Sequence, residues 1–183
     1  METLFAKQDR LLLLTSTEII RTLMHRINWD AQLVAIRGPR GVGKTTLMLQ
    51  YMKLHYEVYS REVLYCTLDS VYFSNHTLLE LADVFVKNGG KHLFLDEVHK
   101  YPTWSKEIKE VYDMYPDLKV VFSASSLLNI LNADADLSRR CIPYEMQGLS
   151  FREFLLFYKQ MSFPVCTLEE VLTSPEKICS EVN

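Results

Sequence analysis

Gly38-Pro39-Arg40-Gly41-Val42-Gly43-Lys44-Thr45 satisfies G-x-x-x-x-G-K-[ST] at every specified position. The chemistry explains the spacing. Glycines let the backbone fold back so that successive N–H groups point inward at phosphate oxygens. Lys44 sets an ammonium against the outer phosphates, and the Thr45 hydroxyl is a magnesium ligand. A helix opening at the same point adds the positive end of its dipole to the same anion. A glycine turn with a surface lysine fits the letters too. It leaves unexplained why an apolar strand comes before the loop and a helix pattern after it.

His92-Leu93-Phe94-Leu95-Asp96-Glu97 offers the second set of groups. Its apolar residues bury a strand whose carboxyl end presents adjacent carboxylates. Ligands of a parallel sheet sit beyond the carboxyl ends of its strands, which brings Asp96 near the loop. Asp96 is expected to hold magnesium through its water shell and Glu97 to polarise the attacking water. An apolar strand ending in acids is common, so this reading leans on the loop upstream. Ser123, followed by Ala124, Ser125 and Ser126, ends another strand. It is either a contact to the γ-phosphate or nucleophilic water, or a helix cap, with Ser125 or Ser126 the better cap. Arg139 and Arg140 are read either as phosphate-neutralising groups, in cis or toward a neighbouring subunit, or as a solvated pair. Asp69, on the same sheet edge, reads better as a turn former.

The elements that must position these groups follow from periodicity. Apolar residues recur at helical intervals from Glu2 to about Trp29, giving one or two amphipathic helices as a lead-in. Strands are expected at Leu33–Arg37, Glu62–Leu68, Lys91–Asp96, Lys119–Ser123 and Cys141–Met146. Helices are expected at Thr45–Tyr59, Thr77–Val86, Trp104–Met114, Ser126–Leu131 and Ser150–Tyr158, the last capped by Ser150 with Glu153. Strands alternating with helices predict a parallel sheet covered on both faces. Beyond Lys159 the pattern weakens, broken by Pro164 and Pro175.

The bulk properties exclude several classes. The 183 residues suit one domain with a core and a short appendage. A net charge of −3 implies no bulk attraction to nucleic acid or anionic membrane. Cys66, Cys141, Cys166 and Cys179 form no CxxC pair and complete no zinc pattern with the five histidines, so they read as reduced thiols. Asn75-His76-Thr77 fits a glycosylation triplet without a secretion signal. The run Leu11–Leu14 is too short for a signal core or a membrane span, which points to a cytoplasmic protein.

With these residues in place, a family resemblance appears. Ile36–Leu47 resembles the entrance to prokaryotic ATPases of the AAA-like superfamily. Leu95-Asp96-Glu97-Val98-His99-Lys100-Tyr101-Pro102-Thr103-Trp104 is similar to that group's acidic-strand segment. Ser123-Ala124-Ser125-Ser126 resembles its strand-end sensor, with Ala124 where glycine is usual. Gly148-Leu149-Ser150-Phe151-Arg152-Glu153-Phe154 is similar to its closing segment. The resemblance implies an additional-strand P-loop fold whose acidic strand is not adjacent to the loop strand. It extends the phosphate-loop role from Gly38 to Thr46, assigns magnesium and catalysis to Asp96 and Glu97, and gives Ser123 a sensor role. It also implies a second half, winged-helix-like or nuclease-like, of which this chain is a truncated part.

The sequence therefore predicts an α/β protein. The expected form is a three-layer α/β/α P-loop NTPase with a mainly parallel five-stranded sheet and an N-terminal helical lead-in. Residues 1–32 are the lead-in, 33–160 the ATPase core, and 161–183 a linker or the start of a second domain. The expected function is ATP binding and Mg2+-dependent ATP hydrolysis by a Walker A loop and a Walker B Asp-Glu pair. Glu97, Lys44 and Ser123 are the catalytic groups, Thr45 and Asp96 the metal ligands. The rivals are a small-molecule kinase, whose arginine-rich lid is not found, and a nucleotide-gated interaction module with negligible hydrolysis. GTP lacks its N/T-K-x-D signature. Partner classes are a second copy, another protein or, through the second half, nucleic acid.

Overall fold

The computed structural model describes residues 1–124, 137, 139–162 and 166–173. Two compact units are distinguished, Met1–Gly148 and Leu149–Asn183. In the first, helix α1 (Glu2–Leu14) leads through a short 3-10 turn (Thr22–His25) into β1 (Leu33–Arg37), α2 (Lys44–His55) and β2 (Val63–Thr67). Helix α3 (Leu78–Lys87), β3 (His92–Asp96), α4 (Trp104–Met114), β4 (Lys119–Ala124) and β5 (Ile142–Glu145) follow. The second unit contains α5 (Phe151–Lys159) and a short α6 (Leu168–Thr173).

The five strands form one sheet in the order β2-β3-β4-β1-β5, every pair parallel. Strands β1 to β4 are buried on both faces, which is why they read as unbroken apolar runs rather than alternating ones. Alternate residues nonetheless divide the core into two layers. Leu33, Ala35, Leu64, Leu93, Leu95 and Val120 pack against α1, α3 and α4. Val34, Ile36, Val63, Phe94 and Val121 pack against α2 and the lead-in turn. The result is the expected three-layer α/β/α P-loop fold. Pro143 sits in β5, an outer strand of mostly exposed residues, where a missing N–H is tolerated.

Sequence and structure differ at several boundaries. The lead-in is one helix and a 3-10 turn, because the chain leaves α1 at Thr15, which is extended and turns its hydroxyl onto Leu11 O at 2.8 Å. Helix α2 ends at His55 rather than Tyr59. Tyr56 is extended, with its hydroxyl 2.7 Å from His92 Nδ1, and Tyr59 takes a left-handed φ of 65°. Capping boxes of Thr77 with Glu80 and of Ser150 with Glu153 start α3 and α5. The helix expected at 126–131, and its cap at Ser125 or Ser126, lie outside the described residues.

Candidate functional site

Strand β4 lies between β1 and β3, so the loop leaving β1 and the acids leaving β3 stand one strand apart on the carboxyl edge of the sheet. At that edge the loop backbone turns through positive φ at Gly38 (155°), Gly41 (82°) and Gly43 (99°) before α2 begins at Lys44. Gly38 has a further reason to be glycine. A Cβ there would lie 2.1 Å from the carbonyl oxygen of Met146, the residue that leaves β5 and whose N–H bonds Arg37 O at 2.7 Å. Pro39, Arg40, Gly41 and Thr46 are exposed at the mouth of the loop, with Val42 and Gly43 partly covered.

Lys44 is buried and folds back over its own loop, donating to Gly38 O at 2.9 Å and Pro39 O at 2.8 Å. Burial pushes its pKa down, opposed by the charges of Glu97 and Asp96. Thr45 crosses to the acidic strand: its Oγ1 donates to Asp96 Oδ2 at 2.6 Å. The Ser123 hydroxyl, fully buried, donates to Asp96 Oδ1. It also accepts from the Glu97 N–H at 3.2 Å. Glu97 adopts a left-handed conformation (φ 54°, ψ 39°), uncommon for a non-glycine residue. Its Oε2 is 3.3 Å from His99 Nε2.

The structure thus brings the loop, Lys44, Thr45, Asp96, Glu97 and Ser123 to one place. Arg140 is elsewhere. Its Nε donates to Asp113 Oδ1 at 3.0 Å in the last turn of α4, with the guanidinium 5.7 Å from the Tyr112 ring centroid. The end of α4 and the start of β5 both lie at the amino edge of the sheet, one strand length or roughly 15 Å from the loop. Arg139 is exposed in the same turn. Asp69 is exposed too, its N–H 3.3 Å from Thr67 Oγ1, as a turn former would be.

Groups that the sequence did not single out also converge here. Tyr65 of β2 donates from its hydroxyl to Asp96 Oδ2 at 2.8 Å. Arg21, from the lead-in, donates to Val42 O in the loop at 2.9 Å, and to Gln147 O at 2.9 Å and Gly148 O at 3.1 Å beyond β5. Only His99, inside the acidic segment, carried a signal in sequence. Tyr65 reads as one more apolar strand residue and Arg21 as a surface cation.

The residues present fit a magnesium-nucleotide complex. A hydroxyl and a carboxylate meet beside a loop whose lysine already has its ammonium over the loop carbonyls. No group of three or more His, Cys, Asp or Glu converges among the described residues. Magnesium in nucleotide sites needs no such cage, since phosphate and water supply most of its ligands.

Fold and site define a P-loop α/β protein whose acidic strand is set one strand away from the loop strand. The family model described as AAA domain matches residues 30–155, more than half of the sequence, and the chain belongs to that family. Two proteins of Methanocaldococcus jannaschii are similar. Uncharacterized protein MJ1637 is 26% identical over 155 residues, covering 80% of this chain and 32% of the relative. Uncharacterized protein MJ1544 is 28% identical over 131 residues, covering 69% and 29%. The chain thus spans about a third of the length of these curated relatives. Among solved structures, that of C. elegans PCH-2 is similar at a TM-score of 0.47 and 13% identity, covering 80% of this chain and 42% of that one. No helix among the described residues is long and apolar enough to cross a membrane.

Proposed function

We propose that this domain binds ATP with Mg2+ and hydrolyses it. The observation that carries the reading is the 2.6 Å hydrogen bond between Thr45 and Asp96, which joins the end of the glycine loop to the end of the acidic strand. In this reading the backbone from Gly38 to Thr46 receives the phosphates, and Lys44 exchanges its loop carbonyls for phosphate oxygens. Thr45 and Asp96 hold the metal, which when bound supplies charge neutralisation at the outer phosphates. Glu97 orients and deprotonates the attacking water, from a side chain partly exposed at the site. Ser123 fixes the Asp96 carboxylate and the Glu97 backbone rather than reaching the phosphates itself. Because the relatives are longer, we read the domain as the nucleotide-driven part of a larger protein, with a second copy or another protein as partner.

The deciding measurement is phosphate release by the wild-type chain and Glu97→Gln, with nucleotide affinity followed in parallel. Affinity should stay nearly constant while turnover falls about 100-fold or more, because the carboxylate acts in the transition state. Wild-type turnover in Glu97→Gln removes the catalytic assignment and leaves a nucleotide-binding module. Transfer of labelled γ-phosphate to an added acceptor instead of water identifies a kinase.

A further inference from the structure

Asp96 is 3% exposed, and each oxygen of its carboxylate takes two donors. Oδ1 accepts from the Ser123 hydroxyl and, at 3.1 Å, from the Glu97 N–H. Oδ2 accepts from Thr45 Oγ1 and from Tyr65 Oη. Three of the donors belong to the loop, the strand-end serine and the acidic segment itself. The fourth comes from β2, across the sheet from the loop.

The Tyr65 hydroxyl meets Asp96 from a buried position in β2. Tyr65 pairs with Phe94 in the parallel register, two residues before the Thr67–Asp96 pair, and its hydroxyl spans that offset to Asp96 Oδ2. The ring is buried in the layer against α2. Its backbone N–H is fixed from the other side by Gln8 of α1, which accepts it at 2.7 Å.

We propose that Tyr65 is a positioning residue for the metal-binding carboxylate: its hydroxyl aims Asp96 Oδ2 at the Thr45 side of the site, so that magnesium-dependent nucleotide binding depends on it. This rests on the magnesium-ATP reading above. The physical ground is that Oδ2 is the oxygen nearest the metal position that Thr45 marks. Ser123 and the Glu97 N–H hold Oδ1, while Oδ2 has Tyr65 beside Thr45, the hydroxyl that the metal position would share. Without the Tyr65 donor Oδ2 is held by Thr45 alone, and the rest of its ordering comes at the expense of metal affinity.

Tyr65→Phe removes the hydroxyl and keeps the ring. Binding of a fluorescent ATP analogue to the full chain is titrated with Mg2+ and repeated in EDTA, alongside thermal unfolding. The half-saturating Mg2+ concentration should rise about 10- to 150-fold, the range for one hydrogen bond to a charged group. Affinity in EDTA should stay at the wild-type value, and saturating Mg2+ should restore full binding. A purely structural tyrosine predicts the reverse, a lower unfolding temperature with an unchanged Mg2+ midpoint, and that result overturns the proposal. So does a variant that fails to bind nucleotide even at saturating Mg2+. Asp96→Asn is run beside it. If Asp96→Asn shifts the Mg2+ midpoint and Tyr65→Phe does not, only the role of Tyr65 falls. If neither shifts it, the metal assignment falls and the proposal with it.

Discussion

Gln8 faces Tyr65 as a neighbouring strand would. Its side-chain carbonyl accepts the Tyr65 N–H at 2.7 Å while its amide donates to Val63 O at 3.3 Å. Strand β2 is at the edge of the sheet, and these backbone groups point away from β3. A buried glutamine on the lead-in helix closes an edge that would otherwise hold unpaired donors and acceptors.

Gln8→Leu keeps the volume and removes both bonds. A buried backbone group left without a partner costs about 1–3 kcal/mol, so for the two groups the loss of stability should be about 2–6 kcal/mol. Urea unfolding with an unchanged m-value measures it. A loss under about 0.5 kcal/mol would mean that α1 swings aside and lets water satisfy the edge.

Lys44→Ala removes the ammonium that sits on Gly38 O and Pro39 O. Pro39 is at the exposed mouth of the loop, where its carbonyl can turn to water, so the fold should survive. ATP affinity should fall at least about tenfold, the cost of a lost charge-assisted hydrogen bond in a partly dehydrated site. Calorimetry showing unchanged affinity would remove the loop from the site.

Two loop glycines should respond differently to alanine. At Gly38 the new Cβ meets the Met146 carbonyl at 2.1 Å, and that backbone is tied to Arg37. Overpacking of this kind costs about 1–3 kcal/mol or more, and nucleotide affinity should fall over tenfold as the loop shifts. At Gly41 nothing lies within 4 Å, so the cost is that of the left-handed φ alone, about 1–2 kcal/mol. Equal effects of Gly38→Ala and Gly41→Ala on stability, read by thermal unfolding, would show that the β5 exit gives way.

His92 should make the domain acid-sensitive. It is buried beneath Tyr51 and Phe94, with Nδ1 on Tyr56 and Nε2 without a partner. Burial first, then the Lys119 charge, push its pKa down to about 3, opposed by Asp30. An unfolded histidine titrates near 6.5, so below that pH the unfolded chain takes up a proton that the native state refuses. The stability from keeping His92 neutral is complete above about pH 6.5 and is lost as pH falls toward about 3. Between pH 7 and 5.5 the loss should be about 1 kcal/mol. His92→Phe should flatten this part of the stability profile; an equal slope in wild type and variant assigns the acid sensitivity to other groups.

The sequence by itself determined what depends on consecutive residues. The loop is legible because its N–H groups, lysine and threonine come from one short stretch, and a phosphate site needs them in that order. Trp104–Met114 is a helix at the expected bounds, and Ser150 with Glu153 caps α5, because helical periodicity and capping are interactions over three or four residues. The strands were legible as buried runs, but nothing in such a run states its neighbours; the separation of β3 from β1 came from resemblance, and pairing across the sheet shows it. Only the tertiary structure decided who holds Asp96. Thr45, Tyr65 and Ser123 reach it from three other elements, Tyr65 from inside an apolar strand where its hydroxyl carries no pattern. It also decided that Arg140 lies against Asp113 at the far edge, because a parallel strand must begin a full strand length from the ends that gather the site. A hydrogen bond leaves no periodic trace when its partners are brought together by crossovers rather than by the helix or strand repeat.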